Sequence, residues 1–443
     1  MSIEIWAIGG YNEIGRNMSA INIDGEVIIL DMGVWLEKIS GYENGDAMRL
    51  SANELLDMEA IPDDRIFEKT WGNRVKAILI THAHLDHVGA CTKIAPKYHA
   101  PIIATPFTCE VLENLKREEK KLPNKIIRLN AGSSYEISKN LTIEFIYATH
   151  STPQTVIIAL HTKYGTIVYA NDFKFDEYPV LGKRTDYERL MEIGKEGVIA
   201  LISDSTRIDE EKRTFSESLV REMLKDVLLW TENEKNAIIT TTFASHIARL
   251  NTILNFANEM GRKPIFVGRS LANYINAAEK VGLVNFSKEA RIYGYKGEIK
   301  KALKEANKNR EKYFIICTGN QGEPDAVLTR IAQGKLPFDL LQEDQIVFCC
   351  NTIPSPINEA NRANLERILK SKKTRIFTDI HASGHAARED HRELLKMLKP
   401  KNYIPCHGGI QKQASAVELA TEMGYVLGKD VHILQNGQKL KII

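Results

Sequence analysis

Short apolar runs alternate with amphipathic stretches along most of the chain, a pattern that predicts α/β layers. The first part is strand-rich, with residues 3–8, 19–23 and 26–31 reading as strands. The run Val75-Lys76-Ala77-Ile78-Leu79-Ile80 reads as a buried strand that ends at Thr81. Residues 101–105 predict another strand and 106–121 an amphipathic helix. Residues 141–148 form a strand that leads to His150. Residues 155–161 and 166–171 predict a hairpin across Lys163-Tyr164-Gly165 that ends at Asp172, and the strand 198–203 ends at Asp204.

The texture then changes. Helices at 215–230, 246–260, 271–281, 299–313 and 325–332 interleave with strands at 237–243, 264–267, 314–318 and 345–350. Regular alternation of this kind predicts a parallel sheet with helices on both faces. After it the chain returns to residues of site type: His381, His385 and His407. The expected organisation is therefore one domain interrupted by another: residues 1–205, an insert at 206–353, and a return over 354–443.

A length of 443 residues suits two or three domains, and 43% hydrophobic with 26% charged residues is ordinary for a globular protein. The net charge is +2, from 59 basic and 57 acidic residues, so any electropositive groove must come from local arrangement. The Lys/Glu-rich stretch 288–312 reads as a solvated helical face, with nucleic-acid contact as the lesser alternative. Six cysteines are scattered without a Cys-x-x-Cys pair, which predicts buried thiols in a reducing compartment and excludes a disulfide scaffold or zinc knuckle. No apolar stretch reaches the ~20 residues of a membrane span. The N-terminus has neither a basic start nor an apolar core of signal type, so the expected location is cytoplasmic, away from membranes.

Candidate chemistry concentrates in Thr81-His82-Ala83-His84-Leu85-Asp86-His87, on the loop leaving a strand. Three of the 12 histidines fall in six positions. Imidazole and carboxylate are good ligands for first-row metals, zinc being the commonest outcome. Four such groups are too many for one ordinary site and suit two adjacent metals, with His82 and His84 facing one ion and Asp86 and His87 the other. Metal pairs roughly 3.5–4 Å apart clamp the attacking and leaving oxygens of a phosphoester. His150, Asp172 and His407 each follow a strand-like run and could complete such a set.

These residues carry a resemblance. His82-x-His84-x-Asp86-His87 with His150, Asp172 and Asp31 resembles the motif series of the metallo-β-lactamase fold. Asp204, His385 in Ser383-Gly384-His385 and His407 in Pro405-Cys406-His407-Gly408 resemble the extra motifs of its β-CASP branch, which processes nucleic acids. Gly10-Tyr11-Asn12-Glu13-Ile14-Gly15, Phe243-Ala244-Ser245-His246 and Thr318-Gly319-Asn320-Gln321-Gly322-Glu323-Pro324 are similar to the ribonuclease J family, in its shorter archaeal form without a long C-terminal domain.

The resemblance implies an αββα sandwich with an inserted β-CASP α/β domain. It also implies two Zn²⁺ per chain, with Mn²⁺ as the alternative that N/O donors accept. His82, His84 and His150 would hold one metal, Asp86, His87 and His407 the other, and Asp172 would bridge them. Asp31 would orient the ligands. Water activated at the pair would attack phosphorus, with Asp86, His385 and Asp204 serving catalysis. His381, Ser383, Gly384, Gly319 and Asn320 would contact a substrate phosphate, although each also reads as an ordinary turn. Ser245-His246 reads as a helix cap or as a contact at a helix N-terminus. The implied activity is 5′→3′ RNA exonuclease favouring 5′-monophosphate ends, with RNA in a cleft between the domains and a homodimer as the implied assembly. An endoribonuclease or DNA nuclease of the same branch is the alternative. A small-molecule thioester or lactone hydrolase is more remote, since it needs neither the insert nor His385. A non-catalytic nucleic-acid clamp does not need the full ligand set.

Overall fold

The computed structural model describes residues 2–39, 49–119 and 122–442. The chain divides into two compact units. One comprises the described residues up to Phe215 together with those from Ser383 onward; the other is essentially Ser216–Ala382.

The first unit contains two sheets. In the first, β1 (Ile3–Gly9), β2 (Met18–Ile23), β3 (Glu26–Leu30), β4 (Val75–Ile80), β5 (Ile102–Ala104) and β6 (Ile126–Arg128) lie side by side in chain order, and the late strand β19 (Lys439–Lys441) pairs antiparallel outside β1. The second contains β7 (Ser133–Ser138), β8 (Leu141–Tyr147), β9 (Val156–Thr162), β10 (Gly165–Ala170), β11 (Val198–Asp204) and β18 (Tyr403–Cys406), in spatial order β18-β11-β10-β9-β8-β7.

Strand periodicity explains how these sheets stack. Alternate residues Ile3, Ile5, Ala7, Ile28, Leu30, Ala77 and Leu79 of the first sheet meet Ile143, Phe145, Ile158, Leu160, Ile167 and Tyr169 of the second in one buried core. The opposite face of the second sheet, through Ile157, Ala159, Val168 and Leu201, packs on helices Tyr187–Glu196, Arg388–Leu398 and Ile410–Glu422. Helix Pro106–Glu119 packs against β5 and β6 of the first sheet. The result is the expected αββα sandwich. Lys120 and Lys121, the last two residues expected in helix 106–121, lie outside the described residues.

The second unit is built on a fully parallel sheet in the order β14 (Arg291–Tyr293), β13 (Lys263–Val267), β15 (Tyr313–Cys317), β12 (Ile238–Thr241), β16 (Gln345–Phe348) and β17 (Arg375–Phe377). One face packs Ile239, Ile265, Ile315 and Ile346 against helices Lys296–Lys308, Val327–Ala332 and Pro356–Ser371. The alternate residues Ile238, Phe266, Phe314 and Val347 are buried as well, so both faces are covered. The division does not follow the expected boundaries of 206 and 354. Residues 354–382 include helix Pro356–Ser371, whose Leu365 and Leu369 enter this core, and β17, which pairs parallel with β16. A short strand with only half-buried residues gave no periodic signal for that extension.

Candidate metal centre

The candidate residues gather because parallel strands bring their C-terminal ends to one edge of a sheet. In the first sheet, Asp31 follows β3 and His82 follows β4, which run parallel. In the second, β10, β11 and β18 run parallel and deliver Asp172, Asp204 and His407. β8 has the same direction, being antiparallel to the shared neighbour β9, and leads to His150. Asp31, Asp172 and His407 all adopt left-handed backbone, at φ 60°, 56° and 53°. Non-glycine residues in that region cluster at functional sites, where the surrounding structure holds them.

Asp172, 1% exposed, stands at the centre. Its Oδ2 is 3.5 Å from His82 Nε2 and 3.4 Å from His150 Nε2. Its Oδ1 is 3.3 Å from both His87 Nε2 and His407 Nε2. His84 Nδ1 joins the first group, 3.2 Å from His82 Nε2 and 3.1 Å from His150 Nε2. Asp86 Oδ2 joins the second, 3.7 Å from His87 Nε2 and 3.6 Å from His407 Nε2. Each group is compact enough for one cation, and Asp172 belongs to both.

The surrounding contacts aim the ring nitrogens inward. His150 Nδ1 donates to the Gly384 carbonyl at 2.6 Å. His87 Nδ1 donates to Asp31 Oδ2 at 2.9 Å. His82 Nδ1 donates to Thr81 Oγ1 at 3.0 Å, and that hydroxyl is itself held by Asp31. In each case Nε2 is the ring nitrogen turned toward Asp172, the one a metal would take. Asp31 is fully buried and also accepts the Thr81 N–H at 2.8 Å and the Tyr169 hydroxyl at 3.1 Å. Gly384 is required by space: a Cβ there would lie 2.7 Å from His150 Cε1.

The electrostatics fit a cation. Burial holds His82, His84 and His150 below the usual histidine range, His84 at about 4, so these rings are neutral donors. Burial opposes ionisation of Asp172 too, but His87, His407 and His385 outweigh it and keep its carboxyl well below the ordinary value. Asp172 Oδ1 and both ring nitrogens of His407 are buried without a hydrogen bond. Buried polar atoms normally have partners, and a cation would supply one to Asp172 Oδ1 and to His407 Nε2. A nitrogen–oxygen donor set of this kind suits zinc or manganese.

A third group adjoins the first two. His385 Nδ1 donates to Asp204 Oδ2 at 2.8 Å, and its Nε2 is 3.9 Å from Asp172 Oδ2. Burial opposes protonation of His385, but Asp172 and Asp204 raise it to about 9. Asp204, fully buried, is held at about 2, burial being outweighed by His385. The His385 side chain is 22% exposed, so a protonated imidazole is open to a substrate beside the donor cluster.

The five residues expected at a phosphate fall into both units. Ser383 and Gly384 are in the first, where Ser383 Oγ accepts the His385 N–H at 3.0 Å. Gly319, Asn320 and His381 are in the second. Gly319 has φ 117°, the Asn320 carbonyl accepts from Arg362, and His381 Nδ1 is 3.2 Å from Arg249 Nη1. His246 caps helix Ile247–Glu259, its ring accepting the Arg249 N–H at 3.3 Å. Sequence reasoning missed Thr81 and Asn17. Thr81 adjoins the histidine cluster and could have been marked for that alone. The Asn17 amide nitrogen is 3.1 Å from His87 Nε2, a contact with no local signal.

Three family models match: a beta-lactamase superfamily domain over residues 63–240, the beta-CASP domain of ribonuclease J over 235–368, and a Zn-dependent metallo-hydrolase RNA specificity domain over 372–434. Ribonuclease J of Methanocaldococcus jannaschii is 48% identical, with 99% of each chain covered. Ribonuclease J of Pyrococcus abyssi is 44% identical, covering 99% of this chain and 97% of that one. A Synechocystis ribonuclease J is 29% identical, and the match spans 66% of that longer protein. A solved structure of a protein of unknown function from Enterococcus faecalis shares the fold, with a TM-score of 0.68 at 17% identity and full coverage of both chains. With near-half identity along its whole length and clusters of His and Asp residues that could hold metal, the chain belongs to the ribonuclease J family of metal-dependent, RNA-degrading nucleases.

Proposed function

We propose that the chain is a two-zinc 5′→3′ exoribonuclease that favours 5′-monophosphorylated RNA. The observation that carries the two-metal part is the division of Asp172: each carboxylate oxygen faces a separate set of donors at 3.3–3.5 Å. In this reading His82, His84 and His150 hold one zinc, Asp86, His87 and His407 hold the other, and Asp172 joins both. Bound there, the metals supply Lewis acidity toward the phosphodiester and make water acidic near neutral pH. The unit Ser216–Ala382 serves as the β-CASP insert.

The chain's own residues do the rest. Asp31 and the Gly384 carbonyl orient the ligands. Asp204 holds His385 by Nδ1, so the proton on Nε2 is available to the leaving oxygen or to charge developing on a nonbridging oxygen. Ser383 and Gly384, on the same loop as His385, are the residues best placed to meet a phosphate beside it. The direction of degradation and the end preference rest on family membership.

The test uses one labelled RNA in three forms: 5′-monophosphate, 5′-triphosphate and circular. The control is the Asp86→Ala/His87→Ala protein. Mononucleotide release fastest from the monophosphate, with the circle intact and the control inactive, is the expected result. Cleavage of the circle would replace the exonuclease by an endonuclease. Metal analysis of both proteins should give two zinc ions for the wild type and a loss in the control.

A further inference from the structure

The second unit carries a ridge of positive charge that plays no part in its packing. Residues 288–312 hold nine Lys or Arg against four Glu, in a chain whose net charge is only +2. Most of this charge lies on helix Lys296–Lys308, which follows the edge strand β14. The helix buries Ile299, Ala302, Leu303 and Ala306 against the sheet. Lys296, Lys300, Lys304 and Lys308 recur every four residues and are all exposed. At 3.6 residues per turn they form one ridge winding slowly along the solvent side, whereas Glu298 and Glu305 fall on its far flank.

That arrangement works against the helix. Like charges four residues apart repel, and a lysine in the first turn faces the positive end of the helix dipole. A helix made soluble by its own ion pairs would interleave Glu with Lys at this spacing. Among the described residues, no carboxylate lies within ion-pair distance of these four lysines. Beside the ridge stands Tyr295, 74% exposed, at the turn between β14 and the helix, and Arg291 on the edge strand is exposed too.

We infer that this face is an RNA-contact surface for single-stranded RNA, separate from the metal centre. Lys300, Lys304 and Lys308 take backbone phosphates and Tyr295 offers a ring for a base to stack on. RNA is the occupant the charge fits, because a row of unpaired cations along a helix matches a phosphate backbone. An exposed aromatic beside such a row is the pattern of a sequence-tolerant single-strand site. The surface lies wholly within the second unit, whereas every proposed metal ligand belongs to the first.

The experiment measures binding of the full-length, metal-loaded protein to an uncleavable single-stranded RNA of about 40 nucleotides, across a salt series. Two variants are compared with wild type: Lys300→Gln/Lys304→Gln/Lys308→Gln, and Tyr295→Ala. All four side chains are exposed, and unchanged melting temperatures would confirm intact folding. The triple variant should bind roughly 10-fold more weakly or worse, and the slope of log Kd against log salt should fall by about 2, at ~0.7 per lost phosphate contact. Tyr295→Ala should weaken binding several-fold without changing that slope, because stacking releases no counterions. Wild-type affinity and slope in the triple variant would overturn the inference. An equal loss by Tyr295→Ala on a fully paired duplex would overturn the single-strand assignment.

Discussion

His385 owes its position to two residues outside the candidate site. Thr214 Oγ1 donates to the His385 carbonyl at 2.8 Å and accepts the Ala387 N–H at 2.9 Å. Asp390, fully buried, accepts the Thr214 N–H at 2.9 Å and the Ala387 N–H at 3.2 Å. Together they clamp the loop that carries the imidazole. Asp390→Ala should lower kcat by roughly 10–100-fold, the cost of a small misplacement of a reacting group. Metal content should stay at the wild-type level, and Asp390→Asn, which keeps the accepting oxygen, should restore most of the rate. In a His385→Ala background the alanine change should cost nothing further. Equal losses in both backgrounds would show that Asp390 supports the fold generally and not His385. Neither clamp residue was legible in sequence, because each acts on main-chain groups that only folding brings near.

At the scale of elements, the second sheet is tied to its covering helix by charge as well as by apolar packing. Glu144 on β8 accepts from His161 on β9 at 2.7 Å and from Arg189 of helix Tyr187–Glu196 at 2.8 Å. Burial opposes ionisation of Glu144, but His161 and Arg189 outweigh it and bring its carboxyl down to about 2. A depressed carboxylate stabilises the fold above its unfolded value and loses that contribution as pH falls through the folded one. Arg189 is 27% exposed, so screening keeps the tie to roughly 1–2 kcal/mol. Glu144→Gln should therefore lower stability at pH 7 by that amount, and the gap to wild type should narrow as pH falls from 4.5 toward 2. A gap independent of pH, in urea melts at several pH values, would refute the electrostatic account. The strands themselves were legible because both faces of β9, β10 and β11 are apolar runs cut by turn residues. Cross-strand partners of Glu144 were not, since the helix residue is 45 positions away.

For the whole molecule, every proposed metal ligand lies in the first unit, and the breaks at residues 215 and 383 are neighbours: Thr214 bonds directly to His385. Replacing residues 216–382 by a short Gly-Ser linker should thus leave a folded sandwich that binds metal like the full chain but no longer degrades RNA. Metal analysis with a gel assay checks this, and loss of metal would mean that the second unit helps build the centre. The sequence by itself determined the layered α/β class and the interrupted first domain. It also determined the candidate ligand types, because apolar period and side chains capable of binding metal are local properties of the chain. The strand-end positions of His82, His150, Asp172 and His407 follow from the same pattern. Only the tertiary structure decided that Asp172 shows one oxygen to each histidine set, that a Gly384 carbonyl and a Thr81 hydroxyl choose the tautomers, and that the second unit continues to β17. Those facts depend on which strand ends meet across two stacked sheets and on one short pairing at a sheet edge. No run of neighbouring residues encodes such long-range geometry.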